Sequence, residues 1–380
     1  MKSKIFDTTV MPNFRNILLV CFLAGGVLVA KANDRPLQEF TRSINREFGT
    51  TADGMTALYN KYGTVNVKTW QNNSVKIDIN IVVNANNQRD ADKIFDRIKV
   101  NFANAAGYVK AETIIEQSSG NNWWSGGGND FKINYEVFMP VANQLDLKNR
   151  YGNSYVAPIN GKLIAEIKYG DLRAEGINND ADLNLGYGKC YIARVNNIYG
   201  QVSYGELTIT EAREIQLDTK YSELKGDKAT SLRLTSKYDD FELGDVDDLR
   251  LQTKYANLRV RSARTAYVTA QYTDIRFANI TETADADLSY GSLKIENITK
   301  NFSNVNVVGK YTDIQLYVER GASYRFDLEG HYTDIKTPAG ASLRSQSKSG
   351  SYEKAEGYVG DANAKALVKA KLSYGGLVLR

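Results

Sequence analysis

A tyrosine returns along this chain at a near-constant interval, and that periodicity limits the possible folds more than any other feature. The segments "KYSEL", "KYDDFEL", "KYANL" and "QYTDI" begin at Lys220, Lys237, Lys254 and Gln271, evenly spaced along the chain. The full series is Tyr151, Tyr169, Tyr187, Tyr204, Tyr221, Tyr238, Tyr255, Tyr272, Tyr290, Tyr311, Tyr332, Tyr352 and Tyr374, with a tight step in the middle that widens after Tyr290. Self-similarity at a fixed period of this size indicates a solenoid, propeller or array.

With the tyrosine as position zero, apolar residues fall at offsets 0, 3, 5, 8, 11, 13 and 15 of the 17-residue turn; Leu224, Ala229, Leu232 and Leu234 illustrate the pattern after Tyr221. Steps of two are strand alternation, and the three steps of three shift parity as corners do. The spacing predicts an all-β chain, a parallel β-helix or β-solenoid with three-sided turns of about 17 residues. The same count groups the tyrosines with the inward residues. Small residues two positions earlier, including Thr219, Ser236, Thr253, Ala270, Gly309 and Gly330, would leave room for the rings. A buried aromatic ladder follows as an expectation, with Tyr238→Ala costing about 3–5 kcal/mol. A transmembrane β-barrel fits poorly. Its strands need about 10 alternating residues, whereas alternation here breaks after three to five.

Four segments are expected. Residues 1–32 read as a signal peptide: Lys2, Lys4 and Arg15 precede the 14-residue apolar run Ile17–Ala30, and Ala30-Lys31-Ala32 offers a cleavage site. That run is short of the roughly 20 residues a spanning helix needs, and Met11 is an alternative start. Residues 33–54 form a lead-in. Residues 55–150 form a first turn interrupted by an α+β insertion that caps the N-terminal end. Its helix has Asn87 as N-cap and Ala91, Ile94, Phe95, Ile98 and Phe102 on one face, and strands follow at Tyr108–Gln117 and Phe131–Met139. Residues 151–380 hold the repeat, closed by a last strand at Lys371–Arg380; either the stretched intervals after Tyr332 and Tyr352 fold over it or that edge meets a partner.

Charge and cysteines narrow the function. Residues 1–32 carry four basic side chains and one acidic, so removing them takes the net charge from +4 to +1. Nothing then favours nucleic acid. Only Cys190 remains after processing, in a slot that other turns fill with leucine or isoleucine, so it reads as an inert core thiol rather than a disulfide partner.

Catalytic chemistry finds little support. His331 is the only histidine, which leaves no Ser–His pair and no histidine-rich metal site. The acidic column at offset two, including Glu206, Glu223 and Asp240, arises automatically from a repeated turn position. The nearest departure is the cluster Asp245, Asp247 and Asp248, which also reads as a solvated corner. No catalytic, cofactor-binding or metal residues are assigned, and no cofactor is expected. Candidate surface-binding residues are Trp123 and Trp124, in a glycine-rich loop, and the column Lys220, Lys237 and Lys254.

The segments "KYGTVNV", "DRIKVNF", "WWSGGG", "INYEVFMP" and the "KYGDL"/"SYGEL" units give the chain, over residues 55–380, a resemblance to bacterial "putative adhesin" proteins with β-strand repeats, a family of unknown function. No catalytic or ligand residues come with that likeness. The reading is a non-enzymatic cell-envelope protein, exported to the periplasm or outer surface of a Gram-negative bacterium. Its rigid face would bind an envelope glycan or protein. A lyase or glycosidase acting on polysaccharide is the alternative, and self-association through the C-terminal edge is a third possibility.

Overall fold

In the computed structural model, residues 36–116 and 130–380 are described. Their strands join in one sheet. The N-terminal part comprises β1 (Gln38–Gly49), β2 (Met55–Lys61), β3 (Val65–Trp70), β4 (Ser74–Ala85), α1 (Gln88–Phe95), β5 (Ile98–Ala105), β6 (Tyr108–Ile115) and β7 (Asp130–Pro140). The repeat runs through β8 (Gln144–Arg150), β9 (Ser154–Val156), β10 (Leu163–Lys168), β11 (Leu172–Ala174), β12 (Ala181–Gly186), β13 (Lys189–Ser203), β14 (Glu206–Lys220), β15 (Glu223–Lys237), β16 (Asp240–Lys254), β17 (Asn257–Ile298) and β18 (Asn304–Val318). The chain finishes with β19 (Tyr324–Lys336), β20 (Ser342–Ser349), β21 (Tyr352–Val359) and β22 (Leu367–Leu379).

Stacking in the repeat is parallel and in register. Leu207 pairs with Leu224, Leu224 with Phe241 and Phe241 with Leu258, while Ile215, Leu232, Leu249 and Ala266 form a second ladder. One repeat therefore moves the chain up by one strand spacing, about 4.8 Å. The 42-residue β17 is not straight, since it passes through left-handed corners at Tyr272 and Tyr290. The core consists of the expected aliphatic columns: Leu207, Ile209, Ala212, Ile215 and Leu217 are all buried, and so are Phe241, Leu243, Val246, Leu249 and Leu251 at the same offsets two turns on, while Gly226 leaves a half-buried gap in between.

The tyrosines differ from expectation. Twelve of the repeat tyrosines, together with Tyr62, have φ between 51° and 62°. A left-handed residue swings the backbone around the corner, so the lysine before it and the tyrosine itself both face outward, and the following residue takes the inward slot. The parity break therefore falls between offsets −2 and +1, not between 0 and +3. Thr219, Ser236 and Thr253 are small for another reason: they pack inside the corner beside Ser222, Asp239 and Thr273, all buried. A Cβ on Gly330 would come within 2.9 Å of Thr333 Cβ.

Spatial order departs from chain order at both ends. β6 and β7 pair in parallel with β2 and β3, on the side opposite β8 and β9. β4 runs antiparallel to β7 and to β1, so Val75, Ile77 and Ile79 are buried in an antiparallel sheet rather than in the first coil. Asn87 caps α1 as expected, accepting from Asp90 N, but Ile98 and Phe102 belong to β5, a strand that hairpins onto β6. At the far end β22 is not an edge. It lies between β18 and β19, parallel to both, while β21 covers β19 and β20 covers β21. Tyr352 accordingly leaves the column and has no left-handed backbone. The exposed edge is β20, whose residues, Arg344 and Lys348 among them, are all exposed. Such polar edges resist adventitious strand pairing.

Candidate binding surface

The corner repeats one hydrogen-bond arrangement. The N–H of Tyr204, Tyr221 and Tyr238 donates to the carbonyl of Lys220, Lys237 and Lys254 in the next turn, at 3.0 to 3.1 Å. At every corner but those of Asp239 and Ala256, the residue after the tyrosine closes the turn in one of two ways. Where it is Ser or Thr, its hydroxyl donates back to the carbonyl two residues earlier: Ser222 to Lys220, Thr273 to Gln271, Thr312 to Lys310 and Thr333 to His331, at 2.8 to 3.0 Å. Where it is glycine, as at Gly152 and Gly170, the turns approach so closely that a Cβ would lie 1.9 to 2.1 Å from the preceding carbonyl oxygen.

A left-handed conformation costs a non-glycine residue about 1–2 kcal/mol. Here the ring offsets it. From Tyr62 through Tyr151 to Tyr311, then Tyr374 and Tyr332, successive rings stack with centroids 4.7 to 5.1 Å apart and planes within 15°. Each stacked pair is worth about 0.5–1.5 kcal/mol, and an inner tyrosine has two. The order Tyr311–Tyr374–Tyr332 follows the insertion of β22. Phe131 meets Tyr62 edge-on at the other end.

The ladder lies outside, on the corner. Its rings from Tyr151 onward are 41% to 51% exposed, and Tyr332 at the end is 63% exposed. Because neighbours occupy both faces of each inner ring, what reaches water is a continuous ribbon of ring edges and phenol hydroxyls. A sugar cannot stack on an inner face; among the described residues of the ladder, only the terminal Tyr332 leaves one open.

Charged columns flank the ribbon. On one side Lys220, Lys237 and Lys254 are exposed and in register, and Lys220 Nζ lies 5.3 Å from the Tyr221 ring centre. On the other side Glu206, Glu223 and Asp240 line a shallow groove of about 570 Å³ together with Tyr204, Tyr221 and Tyr238. Glu206 is engaged by Lys189 and Lys225, which hold its carboxyl below the usual range.

The structure brings the lysine column together with an aromatic surface that parity alone turns inward. The signal that parity misses is the residue after each tyrosine, almost always Gly, Ser, Thr or Asp, as turns require. Trp123 and Trp124 lie outside the described residues. His331 tilts against Tyr352 and stands 3.8 Å from Glu329. Cys190 is buried at a leucine position, and burial pushes its thiol pKa well up. In the acidic cluster, Arg261 binds Asp245 through two contacts of 2.9 Å and holds its carboxyl down, the opposite of what a general acid needs. Asp248 meets Arg250 at 3.4 Å.

One acid is unusual. Asp239 is 3% exposed, beneath the ribbon. It accepts from Thr219 Oγ1 and Ser222 N, each at 2.7 Å, and from Lys237 N at 3.1 Å. Burial raises its pKa, and these donors only partly oppose the rise.

Fold and surface together define a class: an all-β protein of stacked strand repeats with an aromatic ladder along one outer corner. Residues 189–377 of this chain match the family model described as Toastrack DUF4097. The resemblance to β-strand-repeat proteins of unknown function is borne out by that match. Among curated proteins no match is found. Solved structures similar to this chain include a "putative cell adhesion protein" from Clostridium sporogenes, at 7% identity over 90% of this chain and 99% of that one, TM-score 0.18. A "putative lipid binding protein" from Parabacteroides distasonis shows 13% identity over 73% and 93%, TM-score 0.27. A "putative adhesin" from Bacteroides fragilis shows 13% over 89% and 97%, TM-score 0.20.

Proposed function

We propose that this chain is a non-enzymatic, exported cell-envelope protein that binds a surface partner through the tyrosine ribbon and its flanking column Lys220, Lys237 and Lys254. The observation that carries this reading is the ribbon itself. Thirteen stacked rings, mostly two-fifths or more exposed, present an unbroken aromatic strip longer than the scattered apolar patches of ordinary monomer surfaces. The rest of the molecule is the scaffold. Alternation breaks three times per turn, consistent with a three-sided coil, and residues 55–150 act as its N-terminal cap. Residues 1–32 serve as the export signal, and Trp123 and Trp124 supply an accessory contact.

The test is retention of the labelled protein by intact bacterial cells. The variant Lys220→Ser/Lys237→Ser/Lys254→Ser should be retained at least tenfold less at the same melting temperature. Undiminished retention would refute the ribbon as the contact. Release of reducing sugar from a polysaccharide panel, abolished by Asp247→Ala, would replace binding with catalysis.

A further inference from the structure

The ribbon has a polarity that restricts its partner. Across the strip, residues run from a cationic column through the tyrosines to an anionic one. The first contains Lys61, Arg150, Lys168, Lys220, Lys237, Lys254 and Lys310; the second contains Asp171, Glu206, Glu223, Asp240, Asp274 and Asp313, with Lys189 the one inversion. Among the described residues Lys220, Lys237 and Lys254 form no ion pair, and neither do Asp240, Asp274 and Asp313, whose partners are neutral: Asn257, Ser292 and Gly376 N. A polyanion or an anionic lipid surface laid on the strip would meet the carboxylates, and a polycation the lysines. A glycan finds the ring faces already taken.

We infer that the ribbon docks a second copy of this chain, ribbon to ribbon, about a twofold axis parallel to the solenoid axis. That operation sets Lys168, Lys220, Lys237 and Lys310 of one copy opposite Asp171, Glu223, Asp240 and Asp313 of the other, and at no level does it oppose like charges. The alternative facing twofold, across the strip, would set lysine against lysine. The repeats match because they are the same repeat: rings about 4.9 Å apart on each copy stay in step over about 60 Å. The area also suffices. Twelve exposed rings and their flanking stems offer on the order of 1,000 Å² per copy, against about 800 Å² per partner in a stable interface.

This inference rests on the ribbon being the contact surface, and sedimentation velocity tests the two separately. The purified protein should form a dimer in the micromolar range that weakens with added salt. Lys220→Glu/Lys237→Glu/Lys254→Glu and, separately, Glu223→Lys/Asp240→Lys/Asp274→Lys should each weaken self-association at least tenfold. An equimolar mixture of the two should restore a dimer. A protein that stays monomeric at all concentrations overturns the inference, and so does a mixture of folded variants that stays monomeric. Should either variant fail to fold, salt-insensitive dimerisation of the unaltered protein overturns it as well. If the protein is monomeric but cell retention still falls with Lys220→Ser/Lys237→Ser/Lys254→Ser, the surface is right and the partner is a different molecule.

Discussion

At the residue scale, one conformational choice decides what each side chain does. The inward aliphatic residues were legible because alternation counts them directly. The tyrosines were not, because a left-handed residue spends a position without taking an inward slot, and hydrophobicity carries no sign of φ. Asp239, the second residue after Lys237 in "KYDDFEL", shows the consequence. Parity counted from the strand would have put it in water, whereas it fills the pocket under the corner. Burial raises its pKa, so the folded state holds that proton more tightly than the unfolded chain. Its contribution to stability is fully present below the ordinary carboxyl range, near about 4, and is lost as pH climbs through the raised folded value. Melting temperatures between pH 4 and pH 8 should therefore show the protein losing ground to Asp239→Asn as pH rises. A constant difference between the two would mean that Asp239 titrates normally.

At the element scale, the middle strands follow chain order and were readable from the period, since each pairs with its copy one repeat away. The end strands were not readable, because their partners are set by which hydrophobic edge remains open. β22 shows this most clearly. Buried Val368, Ala370, Leu372, Leu377 and Leu379 fill a slot between β18 and β19. Truncation before Leu367 should open two parallel edges at once and remove these five inward side chains. We expect protease cleavage in residues 319–366 to accelerate at least tenfold, with protection restored when a synthetic peptide of residues 365–380 is added. Unchanged cleavage after truncation would show that β22 is not integral to the stack. The N-terminal end has the same logic: "DRIKVNF" reads as helical, yet α1 ends at Phe95, Asp96 and Arg97 turn the chain, and from Ile98 it pairs as β5 with β6.

At the scale of the whole molecule, a corner that would cost strain in every turn becomes a continuous aromatic strip, because each ring meets its neighbours above and below. That cooperation is legible as a periodic tyrosine, and its side of the sheet is not. The strip gives a rigid outer line on which a binding role can rest, and its flanking charges give that line a direction. The most direct test replaces Tyr204, Tyr221, Tyr238 and Tyr255 together, once with glycine and once with alanine, and compares unfolding in denaturant. Both sets lose the stacking, but only alanine keeps the left-handed strain, about 1 kcal/mol or more per corner. The glycine set should therefore be the more stable, by about 4 kcal/mol. An alanine set equal to or more stable than the glycine set, as expected for rings packed inside ordinary strands, would contradict the exterior left-handed ladder.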